Sequence, residues 1–90
     1  MAFSYTVKDR LSWGNLKCVA LTLTDVQDDG TSIINLGCDT VHGIKANNGT
    51  DVADTFKEAV GAASASTTRN IATVTAGTND DDGLAVVWYR

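Results

Sequence analysis

The stretch that decides the fold is Leu84–Arg90, which reads LAVVWYR. Valine, tryptophan and tyrosine favour the pleated, half-buried surface of a β-strand. The dipeptide Asp82-Gly83 stands just before this stretch and is a turn signal. Because terminal segments usually fray unless tertiary contacts hold them, we expect this strand to pair inside a sheet or to dock at a subunit contact.

Alternation of apolar and polar residues predicts further strands upstream. Phe3–Lys8 alternates as a half-buried strand does. Leu16–Thr24 carries valine and two leucines on one face, and its other face is apolar only in its first half. We therefore expect this strand to be interior at its start and half-exposed at its end. The remaining strands are predicted at Ile33–Leu36, Val41–Ala46 and Asn70–Ala76.

Turn signals lie close together between these strands. Asp28-Asp29-Gly30 and Asn47-Asn48-Gly49 are two of them, since such residues tolerate the backbone angles of tight turns. Short strands with closely spaced turns are typical of a sandwich or a small barrel. The chain of 90 residues is too short for two cores. The sequence thus predicts one all-β domain over residues 1–90, a small antiparallel β-sandwich or barrel-like fold.

The stretch Asp51–Ala63 departs from this pattern. Its apolar residues recur at every fourth position, with an aspartate suited to an N-cap and a glycine near the end. If the stretch were a strand, the face that holds Phe56 would also carry Asp54 and Glu58. One short helix is therefore predicted here, and a loop is predicted over Ala62–Thr68.

Composition and charge limit the possible partners. The net charge is -4, from seven Lys+Arg and eleven Asp+Glu, and the basic residues are scattered. Nucleic-acid binding needs a basic face to neutralise phosphates, so we expect no nucleic-acid partner. No basic and apolar leader is visible, and no run approaches the ~18 apolar residues of a membrane span. We expect a protein made in a cytoplasm, with no membrane partner.

The sequence contains few residues suited to catalysis. His42 is the one histidine, and the nearest cysteine, Cys38, lies four residues away. Along a strand this spacing is ~13 Å, too far for the two side chains to meet unless the chain reverses. No nucleophile or phosphate-loop motif is present, so we expect no enzyme and no catalytic residue. Cys18 and Cys38 are expected to be two buried, small hydrophobic side chains rather than a disulfide.

The acidic turns suggest calcium but fit its loop poorly. Asp80–Asp82 and Gly83 match part of an EF-hand loop, whose first ligand position falls on Thr78 and whose last falls on Tyr89. Solvated turns explain the aspartates better, so no metal and no cofactor is expected.

The aromatic residues are the best candidates for contact. Trp13, Trp88, Tyr5 and Tyr89 could form a stacking platform for sugar, or they could fill the core or an interface. Tryptophan and tyrosine are enriched at interface centres. We therefore expect Trp13, Trp88 and Tyr89 to contribute to a subunit interface.

Four segments carry a family resemblance: Phe3–Arg10, Gly14–Lys17, Gly30–Gly37 and Asp82–Trp88. In these segments the chain resembles the small decoration or cement proteins (head auxiliary proteins) of tailed bacteriophages, of the cyanophage and marine phage type. The resemblance implies a structural virion protein on the capsid exterior, a homotrimer that binds and stabilises the shell of major capsid protein. It implies no catalytic residue. The alternatives are a carbohydrate-binding β-module of a virion or adhesin, and a small enzyme.

Deletion of Leu84–Arg90 is expected to leave an unfolded or insoluble product, because the strands that pair with this segment would lose their hydrogen-bonding partner. Circular dichroism and thermal melting of the truncated protein check this. An unchanged spectrum and melting temperature would contradict the prediction.

Overall fold

The computed structural model describes residues 2–51, 53–61 and 69–90, apart from the side chain of Trp13. This part of the chain is all β and contains no helix. The strands are β1 (Ser4–Trp13), β2 (Leu16–Val26), β3 (Ser32–Asn35), β4 (Val41–Asn48), β5 (Lys57–Val60), β6 (Ile71–Thr75) and β7 (Asp81–Tyr89).

The strands form two antiparallel sheets. The first sheet has the order β1-β2-β7-β4, and the second has the order β3-β6-β5. The two sheets are not closed into a barrel, so the predicted all-β fold is confirmed in its sandwich form. β7 pairs with β2 on one side and with β4 on the other. The strand predicted from Leu84–Arg90 thus lies inside a sheet and is paired on both sides.

The core lies where both sheets contribute apolar side chains. Val19, Leu21 and Leu23 of β2 are fully buried, as their alternation predicted. Val87 of β7 is also fully buried beside them. The second sheet and its flanking segments add Ile34, Phe56, Ala72 and Val74 to the same cluster. This alternating burial fixes which face of each strand points inward.

The predicted helix at Asp51–Ala63 is wrong for the residues that the structure describes. Residues 53–61 hold a turn and then β5, while residue 52 and residues 62–63 lie outside the described part. The loop predicted at Ala62–Thr68 also lies outside it. Phe56, which suggested a helical face, is 2% exposed and packs into the sandwich core.

Backbone amides of neighbouring segments explain how two acidic residues share this segment with Phe56. A carboxylate oxygen of Glu58 accepts a hydrogen bond of 3.0 Å from the amide of Ala46 in β4. The carboxylate of Asp54 accepts bonds of 3.1 Å from the amides of Gly77 and Thr78. Hydrogen bonds to a charged acceptor offset the cost of its partial burial, so the acidic residues do not exclude a strand.

The turn before β7 lies earlier than Asp82-Gly83, which are both part of the strand. The chain reverses at Asn79–Asp80, where Asp80 has a positive φ of 69°. Gly83 serves a different purpose. A Cβ atom at this position would collide with the carbonyl oxygen of Asn47 and lie 2.6 Å from Cε2 of Phe56. The glycine therefore permits β4 and the core ring to approach β7 closely.

Replacement of Gly83 by alanine should lower the free energy of unfolding by about 3 kcal/mol, because backbone and ring must both move. The matched control is Gly43→Ala in the neighbouring strand, where the new Cβ would lie 3.4 Å from the Trp88 ring. Urea denaturation measures both variants. Equal stability of the two variants would contradict this account of Gly83.

Candidate functional site

The alternation of β7 turns a second row of apolar side chains away from the core. Ala85 and Val87 are buried, whereas Leu84, Val86 and Trp88 between and beside them are exposed or half-buried. Leu84 is 50% exposed. The first sheet therefore has an apolar outer surface that no other described segment covers.

Strand register extends this surface across β2 and β1. Cys18 lies opposite Trp88, and Ala20 lies opposite Val86. Leu11 of β1 lies opposite Cys18 and is 52% exposed. We define the outer apolar face as the set of residues Leu11, Leu16, Cys18, Ala20, Leu84, Val86 and Trp88.

The outer apolar face is open rather than deeply concave. Two shallow depressions of about 370 and 190 Å³ lie along it, and both include Asp9, Ala20 and Val86 in their linings. Such a surface suits contact with another macromolecule better than enclosure of a small molecule.

Charged side chains lie around the apolar centre. Lys8 and Asp9 stand on the β1 side, and Lys45 stands opposite Val86 on the β4 side. The ammonium nitrogen of Lys45 is 3.9 Å from a carboxylate oxygen of Glu58, and its side chain is 71% exposed. An apolar centre with a polar rim is the usual anatomy of a protein contact surface.

The outer edge of β1 is unsuited to strand pairing with another molecule. β1 is an edge strand with a bulge between Val7 and Asp9. Lys8, Asp9 and Arg10 place three charges in succession at this bulge. Bulges and charges on an edge strand block edge-to-edge association, so contact through the face is favoured over contact through this edge.

The three interface residues predicted from the sequence lie in different places. Trp88 belongs to the outer apolar face and packs beside Gly43 of β4. Tyr89 is 9% exposed and belongs to the core cluster, so the structure does not bring it next to Trp88 on this surface. Trp13 pairs with Leu16 at the β1–β2 turn, but its side chain lies outside the described part.

Sequence reasoning missed the exposed residues Leu11 and Leu84. The available signal was the second face of β2, whose first half carries Leu16, Cys18 and Ala20. That face was expected to be interior. It is instead the centre of the outer apolar face, because the second sheet packs on the opposite side of β2.

The candidate residues for catalysis and metal binding are spread over the described part of the chain. His42 is exposed on β4. Cys18 and Cys38 are both free, and the Cys38 sulfur lies 3.7 Å from the carbonyl oxygen of Asn70. Among residues 2–51, 53–61 and 69–90, no group of three or more His, Cys, Asp or Glu side chains could hold a metal ion.

The aspartates near β7 take part in the local hydrogen bonding. Asp82 accepts a bond of 3.0 Å from the amide of Asp25. Asp81, which is 7% exposed, accepts a bond of 2.7 Å from the side-chain amide of Asn48. These bonds tie the start of β7 to the ends of β2 and β4.

Comparison with known proteins gives no relative: no family model, no curated protein and no solved structure matches this chain. A search of the described residues for a membrane-spanning helix finds none of sufficient length and apolar character.

The Cys38 thiol should react slowly with iodoacetamide at neutral pH. Burial raises its pKa, and the neighbouring Asp39 carboxylate adds to the rise, so less thiolate is present than in an unfolded chain. The same shift makes folding stability decrease as the pH rises through the ordinary thiol range, because the unfolded state loses its proton first. Alkylation rates of a Cys18→Ser variant against pH measure this. A midpoint at or below the ordinary thiol pKa would contradict it.

Proposed function

We propose that the chain is a structural virion protein that decorates the exterior of a capsid and stabilises the shell of major capsid protein. The observation that supports the proposal best is the outer apolar face, an open surface with a charged rim that no other described segment covers. The resemblance to phage decoration or cement proteins supplies the identity of the partner. In this proposal the outer apolar face lies against the shell.

The modest size of the face favours a multivalent protein. From Leu84 to Trp88 the face extends about 14 Å along β7, and three neighbouring strands span about 14 Å, which gives roughly 200 Å² in projection. A stable contact buries about 800 Å² on each partner. One copy would therefore bind weakly, whereas a homo-oligomer would bind tightly because its copies engage together. A homotrimer is the assembly that the resemblance implies.

The charge of the protein suits a particle that carries nucleic acid. A net charge of -4 disfavours binding to packaged or free DNA. The protein would thus be directed to the shell by its apolar face rather than to the genome by electrostatic attraction.

A carbohydrate-binding module is the second candidate, because Trp88 places a half-buried aromatic ring on the outer apolar face. Sugar binding would require this ring to serve as a stacking platform. Decoration requires it to be covered by protein. A glycan array with the purified protein separates the two functions: signal that disappears in Trp88→Ala would favour sugar binding.

The direct test measures binding of the purified protein to DNA-filled shells that lack it. We expect Leu84→Lys to weaken co-sedimentation about tenfold and Trp88→Ala to weaken it about 30-fold, since buried aromatic anchors dominate contact energies. The matched control is Ile33→Lys, which changes an apolar residue of 39% exposure on the other sheet.

Binding that Ile33→Lys leaves intact would support contact through the outer apolar face. Equal loss in Ile33→Lys and Leu84→Lys would contradict contact through that face. No binding of the parent protein to any tested shell, with no copies in purified virions by mass spectrometry, would overturn the decoration function.

A further inference from the structure

Basic side chains from three strands meet at the end of the sandwich where β7 finishes. Arg10 of β1, Lys17 of β2 and Arg90 after β7 line one pocket of about 350 Å³. Register brings them together, because Lys17 lies opposite Tyr89 and Arg10 lies opposite Val19. Three of the seven basic residues of an acidic chain thus share one pocket.

These charges are available to a ligand. Within the described residues, Arg10, Lys17 and Arg90 form no ion pair. Asp39 also lines the pocket, so three cations stand against one carboxylate among the lining side chains. An excess of positive charge on one part of the surface attracts and concentrates anions.

A nearly buried tyrosine adds a hydrogen-bond donor. Tyr89 lines the pocket, is 9% exposed, and its hydroxyl makes no hydrogen bond to any described residue. Every fully enclosed side-chain oxygen in the described part has a partner, so this hydroxyl keeps contact with solvent. A phenolic hydroxyl beside guanidinium and ammonium groups can donate to an oxyanion.

The opposite end of the sandwich carries the complementary charge. There β2 ends, β4 ends and β7 begins, as the pairs Val26 with Asp81 and Asn48 with Gly83 show. Eight of the eleven acidic residues stand at this aspartate-rich end. They are Asp25, Asp28, Asp29, Asp51, Asp54, Asp80, Asp81 and Asp82.

We propose that the pocket between Arg10, Lys17 and Arg90 binds carboxylate groups, and that these belong to the aspartate-rich end of a second copy of the chain. Charge complementarity between the two ends carries the proposal. Small oxyanions such as acetate and phosphate bind basic groups by the same chemistry, and the experiment below distinguishes them from a second copy of the chain. The inference deepens the proposed function by naming a contact between copies, and it leaves the outer apolar face free for the shell.

A contact between opposite ends has a definite symmetry. It is heterologous, so each copy gives one end and receives the other, and the copies form a ring if the rotation closes and a chain if it does not. Because the three basic side chains and five of the eight aspartates are exposed, each contact is weak and sensitive to salt. On a shell, neighbouring copies would be held at high effective concentration, which makes weak contacts effective.

Mixing of two complementary variants tests the proposal. Arg10→Glu/Lys17→Glu reverses the charge of two of the three basic side chains, while Asp28→Asn/Asp80→Asn/Asp82→Asn removes three of the five exposed carboxylates of the aspartate-rich end and retains oxygen acceptors for the turns. Sedimentation in about 50 mM salt should show association of the parent, with an affinity that falls at least about tenfold in about 500 mM salt. Each variant alone should be monomeric. An equimolar mixture should form a heterodimer and grow no further, because only one pair of ends remains complementary.

Single substitutions supply the matched control. Lys17→Glu should weaken self-association about tenfold, whereas Lys8→Glu, the same change at an exposed residue of β1 outside the pocket, should not weaken it. Circular dichroism confirms that both variants fold. Tyr89→Phe should weaken association and leave the melting temperature nearly unchanged.

Three results would overturn the proposal. One is a parent protein that stays monomeric at low salt. Another is a pair of variants that associate as the parent does. The third is binding of acetate or phosphate at the pocket, seen by chemical-shift changes, together with self-association that substitutions at either end do not change. The Trp88→Ala variant, tested on shells, reports on the outer apolar face alone, so failure of shell binding and failure of the end-to-end contact are separate outcomes.

Discussion

The pairing of β7 between β2 and β4 is the constraint on which the rest of the structure depends. It joins β7 to the hairpin of β1 and β2 and places β7 in the interior of the first sheet. It also fixes the orientation of every β7 side chain, since a shift of one residue would exchange the two faces. Both the buried core row and the outer apolar face follow from this single register.

Much of this architecture could be predicted from the sequence. The Val, Trp and Tyr content of Leu84–Arg90 indicated a paired terminal strand, and the alternation in Leu16–Thr24 indicated the buried face of β2. These predictions succeeded because period-two burial leaves a direct trace in the sequence. β5 could not be predicted in this way. Its acidic residue Glu58, and Asp54 just before the strand, accept hydrogen bonds from amides of distant segments, and local sequence patterns do not show such partners.

The candidate site was only partly predictable. Trp88 was expected at a contact surface and does lie on the outer apolar face, but adjacent Tyr89 points into the core because strand neighbours face opposite ways. The sequence predicts a turn at Gly83, but the role of this glycine depends on the close approach of Asn47 and Phe56. The basic and aspartate-rich ends could not be predicted from the sequence, because they depend on the direction of each strand. Strand direction decides which residues, distant in sequence, lie at the same end of the sandwich.

We propose that the outer apolar face, positioned by β7, is the surface that a partner shell covers. Carbene footprinting of the protein, free and bound to DNA-filled shells, tests it most directly because the label reports solvent contact residue by residue. The account predicts reduced labelling of Leu84, Val86 and Trp88 in the bound state, with unchanged labelling of Ile33 on the second sheet. Protection of Ile33 with continued labelling of Leu84 and Trp88 would contradict it.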